Sequence, residues 1–323
     1  MRPRIGPAWA GVVLLSGAAV LVAGGTRAPN SGARAIELVE TVRVLSPAGA
    51  KAIDLWIPKP PSEGPQTAEL LSVEAPAPYR ITAEREFNNE TVYLKASPNG
   101  ASALEVTLRY RIVRRPQEAD ARAAPGAPDR APRGLLAVND EIRLVARRQT
   151  RGLATPMEKG RALYDYVLAR MAYDKSGTGW GRGDSIYACR VGKGNCTDFH
   201  SLFMALALAS GIPARFRMGF SLPEPREGTV RGYHCWAEFY AEGSGWVPVD
   251  ISEAWKDPRR KEFFFGHLDG SRVLVSTGRE IRLSPPQRGR RLNFLSRPYA
   301  EADGTPIYDI EFVRRYKDAL GPA

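Results

Sequence analysis

Hydrophobic and polar residues alternate through much of the first third of the chain, which is the pattern of half-buried β-strands. The runs at residues 36–44, 54–58, 90–96 and 104–113 are rich in β-branched and large apolar side chains. Turns that contain proline or glycine separate them. Several short strands with this spacing predict a small β-sandwich domain over residues 35–115.

The pattern changes after this region. Residues 116–133 contain few large apolar side chains and many Pro and Ala residues, which predicts a linker. The remainder, residues 134–323, is predicted to form a second domain. Its first clear helix begins at residues 155–158 (TPME), because this sequence is a capping box with proline at the first helical position. The helix is expected to continue to about Ala172.

Residues 197–210 are apolar almost all the way round a helix, so they predict a buried helix. Gly211 marks its end, and Asn195 or Thr197 is available as its N-cap. Cys196 therefore lies at or just before the first turn. Unpaired N–H groups and the positive end of the helix dipole favour a thiolate there.

Two alternating runs, residues 233–240 and 245–250, predict a β-hairpin that carries His234 and Asp250. A turn centred on Glu242 would place Asp250 directly opposite His234 on one face. A four-residue loop would instead shift the register by one and separate the two side chains unless a bulge intervenes. With further strands expected at residues 215–220, 272–276 and 280–283, the predicted fold class is α+β.

A thiol at a helix start, an imidazole on a strand and a carboxylate on the next strand are the components of an acyl-transfer triad. The histidine takes or shares the thiol proton, and the carboxylate fixes its tautomer and stabilises the imidazolium. We therefore predict that Cys196, His234 and Asp250 are the catalytic residues. The backbone N–H of Cys196 is the expected oxyanion donor.

At these residues the chain resembles the transglutaminase-like superfamily. The resemblance is carried by GNCTD at 194–198, ASGIPAR at 209–215, HCW at 234–236 and GWVPVD at 245–250, and it covers roughly residues 135–300. It implies a papain-like core in which a helix carrying the cysteine packs on an antiparallel sheet. It also agrees with a preceding β region. The superfamily includes cross-linking enzymes, peptidases, amidases and members without activity, so the resemblance leaves the reaction open.

Several residues near the predicted triad have more than one interpretation. Trp180 in a glycine-rich loop is either an indole donor to the oxyanion, as a tryptophan is in true transglutaminases, or part of the lip of a groove. Cys189 and Cys235 either form a disulfide or remain reduced, and no spacing rule favours the bridge. Cys196, His200 and His234 would suit zinc, but the chain lacks paired CxxC or HxxxH spacing. We expect no metal and no cofactor.

The N-terminal residues 1–28 have the pattern of a signal peptide, with Arg2 and Arg4 before an apolar run at 8–25 and small residues after it. An uncleaved anchor is the alternative, and no later membrane span is predicted. The expected location is therefore the periplasm or the exterior of the cell.

The formal net charge is +11. It is interpreted as solvated basic surface, although an anionic envelope polymer would also suit it. No basic motif interleaved with aromatic residues indicates nucleic-acid binding.

Together these features predict an exported thiol enzyme that transfers acyl groups from amide or peptide bonds through a Cys196 thioester. The expected substrate is a protein or peptide, with a component of the cell envelope as a further candidate. Water or an amine is the acceptor, and the sequence does not decide between them. The alternative is a non-enzymatic envelope binding module that keeps the fold without turnover.

Overall fold

The computed structural model of the protein describes residues 32–121 and 131–319. The predicted signal peptide at 1–28 lies outside these residues, as does the central part of the predicted linker, residues 122–130. Across the two described ranges, none of the helices has the length and apolar character needed to cross a membrane.

The first described range consists of strands. They are β1 (Arg34–Leu45), β2 (Ile53–Pro58), β3 (Gln66–Glu74), β4 (Tyr79–Ala83), β5 (Glu90–Ala96), β6 (Ala103–Arg114) and β7 (Gln117–Glu118).

The second described range begins with helices and ends with strands. Its elements are α1 (Asp140–Gln149), α2 (Pro156–Arg170), β8 (Ala172–Tyr173), α3 (Ser185–Val191), β9 (Lys193–Gly194), α4 (Cys196–Ala209), β10 (Ala214–Ser221), β11 (Glu227–Val230), β12 (His234–Ala241), β13 (Gly245–Val249), α5 (Ile251–Lys256), β14 (His267–Leu268), β15 (Arg272–Thr277), β16 (Tyr299–Ala302), β17 (Thr305–Ile307) and β18 (Ile310–Asp318).

Two five-stranded sheets form a β-sandwich. One has the strand order β11-β18-β1-β6-β3 and the other β17-β16-β2-β5-β4. Alternate residues of both sheets enter one shared apolar core, as Leu38 and Leu108 do from the first sheet and Leu55 and Val92 from the second. This arrangement buries the hydrophobic face that the alternating sequence pattern provides.

The composition of the sandwich differs from the predicted domain boundary, which placed all of residues 134–323 in the second domain. Strand β18 pairs antiparallel with β1, from Ile36 opposite Asp318 to Val44 opposite Ile310. Strand β16 pairs with β2, and β11 pairs with β18. The end of the described chain therefore completes the sandwich that its beginning starts. Alternation predicts a strand but does not identify a partner almost the whole chain away.

A buried ion pair joins β1 to β18. Arg314 Nε donates to Glu40 Oε1 at 2.5 Å, and both side chains are buried. Replacing Arg314 by Met should lower the free energy of unfolding by about 3–5 kcal/mol, because it leaves a buried carboxylate without its counter-charge. Urea unfolding at pH 8 would measure this loss. The matched control is Arg315→Met on the exposed face of the same strand, which should change stability by about 0.5 kcal/mol or less. Equal effects of the two substitutions would contradict this account.

The remaining elements form an α+β core with a four-stranded antiparallel sheet, in the order β13-β12-β10-β15. Helix α4 packs on this sheet and is buried along most of its length, as predicted. The opposite side of the sheet contributes Phe220, Val273 and Val275 to the core of the sandwich. The four-stranded sheet is thus covered by helices on one side and by the sandwich on the other.

Candidate active site

Cys196 is the first residue of α4, in agreement with the predicted helix start. Asn195 is the N-cap, and its Oδ1 accepts from the Thr197 N–H at 2.9 Å. The Asp198 carboxylate accepts from the Asn195 N–H at 2.9 Å, which completes a capping box. As a first-turn residue, Cys196 has a backbone N–H with no acceptor within the helix, and its sulfur lies at the positive end of the helix dipole.

Asp198 also holds the glycine-rich loop against the helix start. It accepts from the N–H groups of Gly181 at 2.6 Å and Gly183 at 3.1 Å. Trp180 lies in this loop, and its indole N–H donates to the Gly177 carbonyl at 3.1 Å. The indole donor is therefore occupied inside its own loop.

The hairpin that carries His234 and Asp250 forms, but with a register that differs from the prediction. Ala237 lies opposite Val249 and Ala241 opposite Gly245, so the connection is residues 242–244. The expected direct opposition of His234 and Asp250 is therefore wrong. The difference amounts to two positions, which keeps a residue on the same face of the sheet. Asp250 follows the end of β13 and caps α5, with its Oδ1 accepting from the Glu253 N–H at 3.2 Å.

The three predicted catalytic side chains meet at this point. His234 Nε2 lies 2.7 Å from Asp250 Oδ2, and both side chains are almost completely buried. The imidazole also forms a side-chain hydrogen bond with the Cys196 thiol. Because Nε2 is occupied by the carboxylate, Nδ1 is the nitrogen available to the sulfur. The thiol, the imidazole and the carboxylate therefore form one chain of hydrogen bonds.

The electrostatics of this group favour an ion pair. Burial opposes the imidazolium, but the charge of Asp250 and its hydrogen bond outweigh this and raise the pKa of His234 to about 9. A hydrogen bond from Cys235 holds the pKa of the Cys196 thiol well below its usual range despite burial, and His234 adds to the effect. At a pH between the two pKa values, Cys196 is a thiolate and His234 is an imidazolium. A thiolate is the reactive form of a thiol nucleophile.

Cys235 and His200 are part of the site although the sequence analysis gave them no catalytic role. Cys235 Sγ lies 3.7 Å from His200 Nδ1 and 3.9 Å from Thr197 Oγ1. Burial raises the pKa of Cys235 well above its usual range, so it remains a thiol and donates to the Cys196 thiolate. Cys189, Cys196 and Cys235 are all free thiols.

His200 connects helix α4 to the segment that follows Asp250. Its Nε2 accepts from the Ile251 N–H at 3.0 Å, and burial lowers the pKa of the imidazole, so the ring is neutral. The four-residue spacing of Cys196 and His200 on one helix face was visible in the sequence. That spacing alone did not indicate that His200 supports the backbone next to Asp250.

Aromatic side chains surround the Cys196 thiol, and this residue is only 2 % exposed. The hydroxyl of Tyr233 accepts from Asn195 Nδ2 at 2.9 Å and from Thr197 Oγ1 at 3.1 Å, which fixes its ring beside the helix start. Tyr173 lies near Trp255, with ring centroids 6.4 Å apart. The half-buried rings of Tyr233 and Tyr173 and the exposed ring of Trp255 provide an apolar rim near the thiol.

Comparison with known proteins bears on the fold. Residues 143–251 match the profile of the transglutaminase-like superfamily. An uncharacterized protein of Haemophilus influenzae is 25 % identical over 351 residues, covering 93 % of this chain and 95 % of that protein. The structure of a candidate cysteine protease from Cytophaga hutchinsonii is similar with a TM-score of 0.55 at 15 % identity, covering 90 % of this chain and 93 % of that one. At this identity the likeness shows a shared fold.

A second solved structure is more distant. The periplasmic domain of TgpA from Pseudomonas aeruginosa gives a TM-score of 0.35 at 18 % identity, and the match covers 70 % of this chain and 90 % of that one.

Proposed function

Since the chain carries a transglutaminase-like core, we propose that it is a thiol enzyme that transfers acyl groups from amide or peptide bonds through Cys196. The observation that carries this proposal is the position of His234, which bonds Asp250 on one side and the thiol on the other. A buried imidazole between a carboxylate and a thiol at a helix start has the arrangement that nucleophilic catalysis requires.

In the first half of the reaction the Cys196 thiolate attacks the amide carbon, and a C–S bond forms as the carbonyl oxygen becomes an oxyanion. The backbone N–H of Cys196 is placed to donate to that oxygen. The imidazolium of His234 then gives its proton to the leaving nitrogen, and the C–N bond breaks. The products are a free amine or ammonia and a thioester on Cys196.

In the second half neutral His234 takes a proton from the acceptor while the acceptor attacks the thioester. Water gives a carboxylic acid and makes the protein a peptidase or amidase. A primary amine gives a new amide and makes it a cross-linking transferase. In both cases the sulfur leaves as a thiolate, and the ion pair with His234 is restored. The proposed substrate is a protein or peptide, because the reacting group is a backbone or side-chain amide.

We also propose that the enzyme acts outside the cytoplasm. The support is the pattern of residues 1–28, in which basic residues precede an apolar run and small residues follow. Protein or peptide components of the cell envelope would then be within reach of the site.

Near-complete burial of the thiol supports the alternative function, a binding module with the same fold and no turnover. Cys196 is 2 % exposed and His234 is 6 % exposed. A protein that retains the triad but admits no substrate would show an ionised Cys196 and no acyl transfer.

Two parallel assays test the proposal. The protein is incubated with dimethylcasein and a biotinylated primary amine, and ammonia release and biotin incorporation are measured together. A dye-quenched casein reports peptide cleavage in parallel. A transferase should incorporate biotin and release ammonia in equal amounts, and a hydrolase should release ammonia or peptide fragments without incorporating biotin.

The control variants identify the thiol that is responsible. Cys196→Ala should remove all activity, because Cys196 is the thiol that hydrogen bonds from Cys235 and His234 keep ionised. Cys189→Ala should retain it, because burial raises the pKa of the Cys189 thiol and the residue lies outside the triad. Absence of all three signals from a folded wild-type protein would reject the enzyme and favour the binding module.

A further inference from the structure

Arg272, the first residue of β15, reaches the triad from the side opposite the nucleophile. Its guanidinium is almost fully buried, and Nε donates to Asp250 Oδ2 at 3.1 Å. This is the same carboxylate oxygen that His234 Nε2 approaches at 2.7 Å. One anionic oxygen therefore lies between two cationic groups.

Asp250 is fixed on its other oxygen as well. Oδ1 accepts from Ser252 Oγ at 3.1 Å and from the Glu253 N–H at 3.2 Å. These two donors carry no charge, so they orient the carboxylate without competing electrostatically for it. Arg272 is the partner that both bonds the carboxylate and offsets its charge.

The other carboxylates near Arg272 each have a second cation. Asp269 lies 3.2 Å from Arg272 and also 3.2 Å from Arg260. Glu253 lies 3.7 Å from Arg272 and 2.6 Å from Lys256. Because those carboxylates are shared with surface cations, part of the charge of Arg272 remains for Asp250.

Ionisable groups approach Asp250 from each element packed around it. His200 from α4 lies 3.8 Å from Oδ1, and its imidazole is neutral because Nε2 accepts a backbone N–H. Tyr164 from α2 donates its hydroxyl to the Lys261 carbonyl, and the charge of Asp250 adds to burial in raising the pKa of that phenol. Arg272 is thus the permanent cation in contact with the triad carboxylate, and His234 is the titrating one.

We propose that Arg272 is a positioning residue for the reaction: by sharing Asp250 Oδ2 with His234, it limits how firmly the carboxylate holds the imidazolium. The inference rests on the proposed function. The chemical reason is that His234 must release a proton to the leaving nitrogen. An imidazolium that is too strongly stabilised releases its proton slowly. Arg272 keeps Asp250 ionised and able to orient the His234 ring, and it weakens the attraction of Asp250 for that proton.

The experiment measures the His234 titration directly, without any substrate. The chain contains three histidines, so the imidazole resonances of protein labelled at histidine can be assigned with His234→Ala and His267→Ala spectra. In Arg272→Gln, which keeps a donor but loses the charge, the midpoint of His234 should rise by about one pH unit, because a nearby like charge has been removed.

Two comparison variants separate charge from packing. Arg272→Lys keeps the charge and should leave the His234 midpoint within roughly half a unit of wild type. Ser252→Ala removes an uncharged donor from the same carboxylate and should also produce a small shift. An unchanged midpoint in folded Arg272→Gln would overturn the proposal, as would equal shifts in the Lys and Gln variants.

A wild-type measurement covers the case in which Arg272→Gln does not fold. The Nε–H resonance of Arg272 should shift with the same midpoint as the His234 ring, because both donors share one oxygen. If the Arg272 Nε–H resonance does not shift as His234 titrates, the two side chains do not share one carboxylate oxygen and the proposed arrangement is wrong.

If the wild type transfers acyl groups, the upper pH limit of kcat/KM should rise with the His234 midpoint in Arg272→Gln. If the wild type shows no turnover, the NMR midpoints still decide the role of Arg272. The failure of the proposed function is therefore distinct from failure of this inference.

Discussion

His234→Ala should raise the pH at which Cys196 reacts with iodoacetamide towards the value near 8.5 of a free cysteine. The shift is expected because the imidazolium that stabilises the thiolate is removed, although the helix start and the Cys235 hydrogen bond remain. Acyl transfer should fall by several orders of magnitude, since the same ring is also the proton donor and acceptor. Alkylation rates from peptide mapping between pH 5 and 10 would show the shift.

The chain provides internal controls for that measurement. His267 is exposed on β14, and His267→Ala should leave the Cys196 profile unchanged. Within the same samples Cys189 and Cys235 should react slowly at neutral pH, because burial raises the pKa of both thiols. The triad assignment fails if Cys196 is no more reactive than Cys189 or does not respond to His234→Ala.

The pH dependence of wild-type activity follows from the directions of the shifts. The pKa of Cys196 is lowered and that of His234 is raised to about 9. The ion pair therefore exists above the Cys196 pKa and is lost as the pH rises through about 9, where the imidazolium loses its proton. Activity should therefore show a plateau across neutral pH, where this ion pair is present.

Asp250→Asn should preserve the fold and lower kcat, and with it kcat/KM, by about 10⁴, because the equivalent substitution in a serine protease triad lowers kcat by about this factor. If the amide nitrogen faces His234, Nε2 must become an acceptor and the ring proton moves to Nδ1, where it points at Cys196. That tautomer cannot accept the thiol proton. If the amide oxygen faces His234 instead, the NH₂ group meets the donors of Ser252 and Glu253.

The matched control is Asp303→Asn in the sandwich. Asp303 is likewise a hydrogen-bond acceptor, from the backbone N–H groups of Lys51 and Ala52, but it belongs to the sandwich and not to the site. Its substitution should leave kcat/KM within about twofold, in keeping with an exposed site. Circular dichroism of both variants would verify folding. Comparable losses of activity in the two would mean that Asp250 acts through stability alone.

The local parts of the site were predictable because they depend on short-range rules. The N-cap at Asn195, the helix that follows and the capping box at Thr155 were all visible in a few consecutive residues. The hairpin was visible as well, but its register depended on loop length. The chain turns through residues 242–244, with Gly243 and Gly245 both at positive φ, which displaces the pairing by two positions.

Long-range features could not be derived in the same way. Arg272 begins a strand of apolar residues, and a charged residue in such a run indicates a buried partner without identifying it. The strand predicted at residues 280–283 is reduced to a single bridge between Ile281 and Leu292. Helix α5 was not predicted at all. It begins at Ile251, with Asp250 as its N-cap, and the sequence analysis had assigned Asp250 to the end of a strand.

The pairing of β1 with β18 determines when the fold becomes complete during synthesis. Cys196, His234 and Asp250 are all made before β16 and β18, so the sandwich that covers one side of their sheet lacks β18, the strand between β11 and β1, until those residues emerge. Contacts of such high sequence separation form late, because closing a long loop precedes any gain from packing. A nascent chain therefore carries Cys196 for some time without the completed sandwich behind its sheet, so the thiol reaches its folded surroundings only after β18 has been made.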